Sequence, residues 1–326
     1  MTKAARISYI FIALLLVMLG WLHLTTPFLA VLFSYFFLHK LHLTQSKWVA
    51  VALFVFVALG IMYATGHFVR IAVVALPKIA ETSIPSFINW AMLHGIELPF
   101  TDYDSLKNLA METVTEQVHY LRNAANFAKG AATEAVFLVI GVVVAVSVFL
   151  DNRLDLDAGK HPVKNNLYSS CCVEISARFL SFYESFATVL GAQIIISSIN
   201  TALTSIFVFV GGLPYWPLLI GTTFLCGLLP VVGNLISNTI IVGVAFTLSP
   251  KMALTALAFL IVVHKLEYFL NSKIIGDRIR NPIWLTLLGL IIGERLLGIP
   301  GMILAPVVLN YVKMEASRVQ VGAIDQ

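Results

Sequence analysis

The stretch Trp216-Pro-Leu-Leu-Ile-Gly-Thr-Thr-Phe-Leu-Cys-Gly227-Leu-Leu-Pro230-Val-Val-Gly233-Asn-Leu-Ile-Ser-Asn-Thr-Ile-Ile-Val-Gly-Val-Ala-Phe-Thr-Leu248 decides the fold. It is apolar almost throughout, yet Gly and Pro interrupt it at its middle. About thirty helical residues would reach roughly 45 Å, whereas the hydrocarbon core of a bilayer is about 30 Å thick, so the stretch cannot be one straight crossing. Pro282 to Val312 has the same excess length and is interrupted at Gly298-Ile-Pro300-Gly301. Backbone that breaks inside lipid must find its hydrogen bonds in protein or in a water-lined cavity. Paired broken segments therefore point to the solute site of a transporter.

Composition sets the class. The 326 residues are 59% hydrophobic and 12% charged, with a mean hydropathy of +0.90, outside the range of soluble domains. This reads as an all-α polytopic membrane protein with about eight hydrophobic helical segments and Gly/Pro-broken helical hairpins. The apolar run Ile7 to Leu19 lacks a small-residue cleavage site and resumes at Pro27, so it reads as part of the mature chain rather than a signal peptide. Cys171, Cys172 and Cys226 have neither CxxC nor zinc-site spacing and read as fillers.

The distribution of Lys and Arg orients the chain. Lys3, Arg6, Lys40, Lys47, Arg153, Lys160, Lys164, Arg178, Lys273, Arg278, Arg280, Lys313 and Arg318 fall on one side if both long segments fold back. His67 to Glu134 instead carries five basic residues against seven acidic ones and reads as the outside. Both termini are then expected in the cytoplasm. The expected organisation is a pair of membrane helices over 1–66 with a hairpin near Pro27, and a crossing over Trp48 to Gly66. An extracytoplasmic region follows over 67–130, with a periodic amphipathic run from Leu106 to Ala128. A membrane helix over 131–150, a cytoplasmic linker over 151–185, a membrane core over 186–312 and a cytoplasmic tail over 313–326 complete it. Parity requires Trp216 to Leu248 and Pro282 to Val312 each to double back, by full crossing or by re-entry.

Three groups carry candidate chemistry. Gln193, Ser197, Asn200 and Thr204 recur at spacings of four, three and four, on one face of a helix over Phe186 to Val210. They either line a solute path or join helices by hydrogen bonds. At the break, Pro230 removes a backbone donor, Gly233 permits a positive φ, and Asn234 and Asn238 supply polar groups where lipid offers none. The amides freed at the second half-helix would face an oxygen-rich solute with partial positive charge. The bland alternative is a tight hairpin that binds nothing. His264 and Glu267 share a face in Met252 to Leu270, where an imidazole beside a carboxylate can exchange a proton or hold Na⁺. A structural ion pair of Glu267 with Lys273 or Arg278 is the competing reading. Gly289 and Gly293 have the spacing of close helix contact and suit a homo-oligomer. No Walker A, GxSxG, HExxH or metal-ligand cluster is present, so neither an enzyme nor a resident cofactor or metal is expected.

Phe209-Val-Gly-Gly-Leu-Pro-Tyr-Trp-Pro217, Leu228-Leu-Pro-Val-Val-Gly233, Leu266-Glu267, Lys273-Ile-Ile-Gly276, Asn281-Pro282 and Gly293-Glu-Arg-Leu-Leu-Gly298-Ile-Pro-Gly-Met-Ile-Leu-Ala-Pro306 occur in that order. Taken together they resemble the autoinducer-2 exporter family of PerM-like permeases from about Ser181 to Val312. The resemblance implies a bacterial inner-membrane protein with seven or eight hydrophobic segments. Members are associated with export of autoinducer-2, and some with Na⁺/H⁺ exchange. The sequence thus predicts a secondary transporter exporting a small hydrophilic metabolite such as autoinducer-2. A Na⁺/H⁺ antiporter and a non-transporting scaffold are the alternatives. The expected partners are that solute, Na⁺ or H⁺, the lipid bilayer and further copies of the chain, with no nucleic acid.

Overall fold

The structure, a computed structural model, describes residues 2–43, 46–96, 124–151, 163, 166–229, 232–275 and 282–319. These residues form ten helices, with no strand among them. In chain order they are α1 (Lys3–Trp21), α2 (Thr25–Leu41), α3 (Lys47–Leu93), α4 (Ala124–Leu150) and α5 (Leu167–Val210). The remaining five are α6 (Trp216–Gly227), α7 (Val232–Leu248), α8 (Pro250–Ile275), α9 (Ile283–Leu297) and α10 (Ile299–Ser317). Four of them are long and apolar enough to cross a membrane: α1, α3, the Ala132–Leu150 part of α4, and α5. On α4, Val136, Val139 and Val143 stay largely exposed, as side chains facing lipid do.

Several boundaries differ from the sequence expectation, for identifiable reasons. The N-terminal hairpin turns at Leu22 to Leu24, where His23 takes a left-handed φ of 54°. Pro27 lies past the turn, in the first turn of α2, where its missing N–H would have no helical partner anyway. α3 does not stop at Gly66; it runs 47 residues, roughly 70 Å, carrying Pro77 and Pro85 inside it. Gly60 and Gly66 meet no neighbouring atom and so punctuate nothing. α5 likewise starts at Leu167 rather than Phe186, so most of the expected cytoplasmic linker is helix. The periodic run over 106–121 lies outside the described residues. Lys313 to Ser317, expected in a tail, are the last turns of α10.

The chain divides into two compact units, and it passes from one to the other within α3, α4 and α5. The first unit holds residues 1–58, 132–191 and 277–326. In it Leu38, Ala50, Phe54, Ala145 and Phe149 form a buried cluster between α2, α3 and α4. Aromatic edges lock α2 to α5, with ring centroids 5.3 Å apart for Phe33 and Phe186 and 4.9 Å for Tyr35 and Tyr183. The α9–α10 hairpin turns at Gly298, whose φ of 66° and ψ of −152° suit glycine alone. Behind the turn Gly293 and Gly301 meet backbone to backbone, and Gly289 packs on Leu309 of α10. The small-residue spacing anticipated for contact between subunits is thus used inside the hairpin. Pro300 sits in the first turn of α10, and Pro282 caps α9.

Charge fastens this unit too. Glu315 of α10, 4% exposed, accepts from Tyr9 Oη of α1 at 2.8 Å and Arg178 Nη1 of α5 at 2.5 Å. Arg318 adds a bond at 3.2 Å and donates to Ser181 Oγ at 2.6 Å. Arg178 also reaches Glu174 at 2.8 Å and lies over the Tyr9 ring. A carboxylate this buried persists only with such a full set of donors.

The second unit holds residues 59–131 and 192–276. Its core joins Ala75 and Ile79 of α3, Val208 of α5, Leu218 and Leu219 of α6, Ile241 and Val244 of α7, and Ala256 and Leu260 of α8. α6 and α7 pack together as an antiparallel hairpin. At 12 residues, α6 is roughly 18 Å long, shorter than the hydrocarbon core of a bilayer.

Candidate functional site

The site grows out of the break between α6 and α7. Pro230 lies outside the described residues. Gly233 is already in the first turn of α7 and does not adopt a positive φ, contrary to the role its sequence context suggests. What requires glycine is proximity: a Cβ there would run into the Cys226 carbonyl.

The last carbonyls of α6 have no partner within their helix, and lipid supplies none. Ser197 Oγ donates to Phe224 O at 2.7 Å and Gln193 Nε2 to Gly227 O at 2.5 Å. Both come from the polar face of α5. Half of that face therefore holds the broken end together, which is the helix-joining role weighed for it.

The other half faces a cavity. Asn200 and Thr204, 6% and 1% exposed, line it from α5, and Thr223 lines it from α6. Asn234, Ser237 and Asn238 come from α7, and His264 and Glu267 from α8. The space left for the centres of water-sized molecules is about 20 Å³, room for one or two waters.

Glu267 is the centre of this arrangement. Its side chain is 12% exposed. Asn234 Nδ2 donates to Oε1 at 2.9 Å and to Oε2 at 2.8 Å, and Asn200 Nδ2 reaches Oε2 at 3.3 Å. Asn234 stands in the first turn of α7, so the positive end of that helix lies beside the carboxylate. His264 Nδ1 is 3.5 Å from Oε2, on a side chain 66% exposed. Among the described residues no Lys or Arg pairs with Glu267, and the side chains of Lys273 and Arg278 lie outside them. Two amide Nδ2 groups thus hold this carboxylate, that of Asn234 sharing one N–H between both oxygens.

These residues come from four helices, and Glu267 is 67 positions from Asn200 and 33 from Asn234. The structure unites Asn200, Thr204, Asn234, Asn238, His264 and Glu267, which the sequence offered as three separate groups, and sets Gln193 and Ser197 to the break. Thr223 and Ser237 were not singled out. Ser237 had a signal, since it stands three residues after Asn234 on one helix face. Thr223 had only its hydroxyl in an apolar run.

Residues 7–316 match the family described as AI-2E family transporter. This chain belongs to that family. A Bacillus subtilis (strain 168) protein named "Putative transport protein YdbI" is 34% identical over 128 residues, covering 38% of this chain and 36% of that protein. No solved structure matches the chain. Membership of the AI-2E transporter family agrees with the chain's helical, apolar build. Glu294 and Arg295, inside one of the motifs that carried the resemblance, stay exposed and 3.9 Å apart.

Proposed function

We propose that this transporter is proton-coupled and that Glu267 is the group that takes up and releases the proton. The observation that carries the reading is a nearly buried carboxylate held by the amide Nδ2 groups of Asn200 and Asn234 beside a water-sized cavity. An ionisable group in a membrane segment is costly and is kept for ion pathways or proton relays. His264, exposed and beside Glu267, is placed to pass the proton in from outside the cavity.

The second reading concerns the cargo: export of a small hydrophilic metabolite such as autoinducer-2 across a bacterial inner membrane, with both termini cytoplasmic, a reading to which the match with the AI-2E transporter family lends the transport role. Pockets that enclose an organic ligand run to about 300–1,000 Å³. The Glu267 cavity therefore serves the coupling ion, and the cargo needs a wider opening than this conformation provides.

The test uses the purified full chain in proteoliposomes with a trapped pH-sensitive dye. A proton gradient should dissipate through the wild-type chain, and Glu267→Gln should reduce that movement at least tenfold. Equal proton movement in the two proteins would overturn the proposal. Repeating the assay with a Na⁺ gradient asks whether Na⁺ is the exchanged ion.

A further inference from the structure

Asn200 presents one end of its amide to Glu267 and leaves the other unused. Its Nδ2 faces Oε2 at 3.3 Å, while Oδ1 is buried without a donor. Among the described residues lining the cavity, it is the buried side-chain oxygen left in that condition. An unpartnered buried acceptor is expensive, and native proteins keep few of them.

The requirement changes when Glu267 takes a proton. An ionised carboxylate only accepts hydrogen bonds, whereas a carboxylic acid also carries an O–H that must find an acceptor. A primary amide has nearly the same outline whichever way it points, so turning Asn200 end for end replaces Nδ2 by Oδ1 at the same place. The 3.3 Å separation would then close toward the 2.7–2.8 Å usual for O–H···O. We propose that Asn200 is the positioning residue that lets Glu267 exist in both forms, donating Nδ2 to the carboxylate and accepting with Oδ1 from the acid. This rests on the proton-coupling reading and adds to it a residue that makes the exchange reversible.

The neighbours leave this role to Asn200. Asn234 bonds both carboxylate oxygens through Nδ2 and fixes the ionised form. Among the described residues, the other groups facing the cavity from α5, α6 and α7 are uncharged, and on α8 His264 is the one other titratable group lining it. The turn also has a mechanical consequence. Once Glu267 is neutral, the shared N–H of Asn234 loses its charged acceptor, and the first turn of α7 is held less tightly at the break.

The experiment compares Asn200→Thr with Asn200→Val, two side chains of one shape, of which only the first has a hydroxyl that donates and accepts. The readout is the pH of half-maximal proton movement in proteoliposomes of the full chain. Val removes the donor to the ionised form and the acceptor of the acid form together, and the bond to the charged form is the stronger of the two. The half-maximal pH should therefore rise by about one unit, a tenfold change in proton concentration, and the protonated-carboxyl infrared band of the acid form should move to higher frequency as its O–H loses its acceptor. Thr should stay within about 0.3 unit of wild type, with its band unmoved. Equal half-maximal pH for Thr and Val, or a protonated-carboxyl band at one frequency in both, would overturn the role of Asn200. If Asn200→Val does not insert, Asn200→Ser against Asn200→Ala repeats the comparison, with the same ordering expected. Glu267→Gln separates the two claims: persistent pH-dependent movement there sinks the coupling reading, whereas its loss alongside matching Thr and Val profiles sinks this inference alone.

Discussion

Asn234 and Glu267 show how one carboxylate can sit inside a membrane unit with, among the described residues, amides rather than a Lys or Arg as its partners. Asn234 Nδ2 shares an N–H between both carboxylate oxygens, and a hydrogen bond to a charged group contributes about 1.5–3 kcal/mol. Asn234→Leu should therefore leave Glu267 poorly solvated and reduce proton movement more than tenfold, with normal membrane insertion by fluorescence-detected size exclusion. Wild-type flux in that variant would show that the anion draws its stabilisation from elsewhere. The sequence disclosed both residues as candidates, because charge and amides are rare in apolar spans. Their union was not legible, since no local periodicity relates positions 33 and 67 apart. Gly233 was misjudged for a similar reason: glycine at a break suggests a positive φ, but here the facing Cys226 carbonyl forbids a Cβ.

At the scale of elements, the two broken hairpins obey different constraints. The α9–α10 turn depends on backbone conformation at Gly298, so Gly298→Ala should cost about 1–3 kcal/mol and lower the melting temperature in detergent. An unchanged melting temperature would mean that the turn relaxes freely. The α10 end is fixed by charge, and Glu315→Ala would remove the buried carboxylate on which Tyr9, Arg178 and Arg318 converge, leaving Arg178 with Glu174, at a cost of about 1–3 kcal/mol. A double-mutant cycle with Arg178→Ala checks this, the coupling being expected above about 1 kcal/mol. Both hairpins could be read from excess apolar length and Gly/Pro placement. Their partners could not: Arg178 reads as one more cytoplasmic cation until α5 is seen to bring it to Glu315. The extent of α3 was hidden too, because its glycines look like boundaries and pack against nothing.

The whole molecule, a member of the AI-2E transporter family, has two compact units, one holding the charge-clamped hairpin and the other the Glu267 cavity. The class of the fold was open to inspection in its hydropathy; its division into units was not, because three helices carry the chain between them without any linker composition. The positive-inside pattern predicts that cysteines placed at Leu43 and Val319, in a chain with Cys171, Cys172 and Cys226 replaced by Ser, react from one side of the membrane, and a cysteine at Gly95 from the other. Membrane-impermeant thiol labelling of intact cells reads this directly, and labelling of all three from one side would refute the orientation. The central claim is narrower: Glu267 gains and loses a proton within the membrane unit. Infrared difference spectra of the full chain in proteoliposomes, acidic buffer minus alkaline, address it most directly. The account predicts a protonated-carboxyl band that disappears in Glu267→Gln, and identical spectra from the two proteins would contradict it.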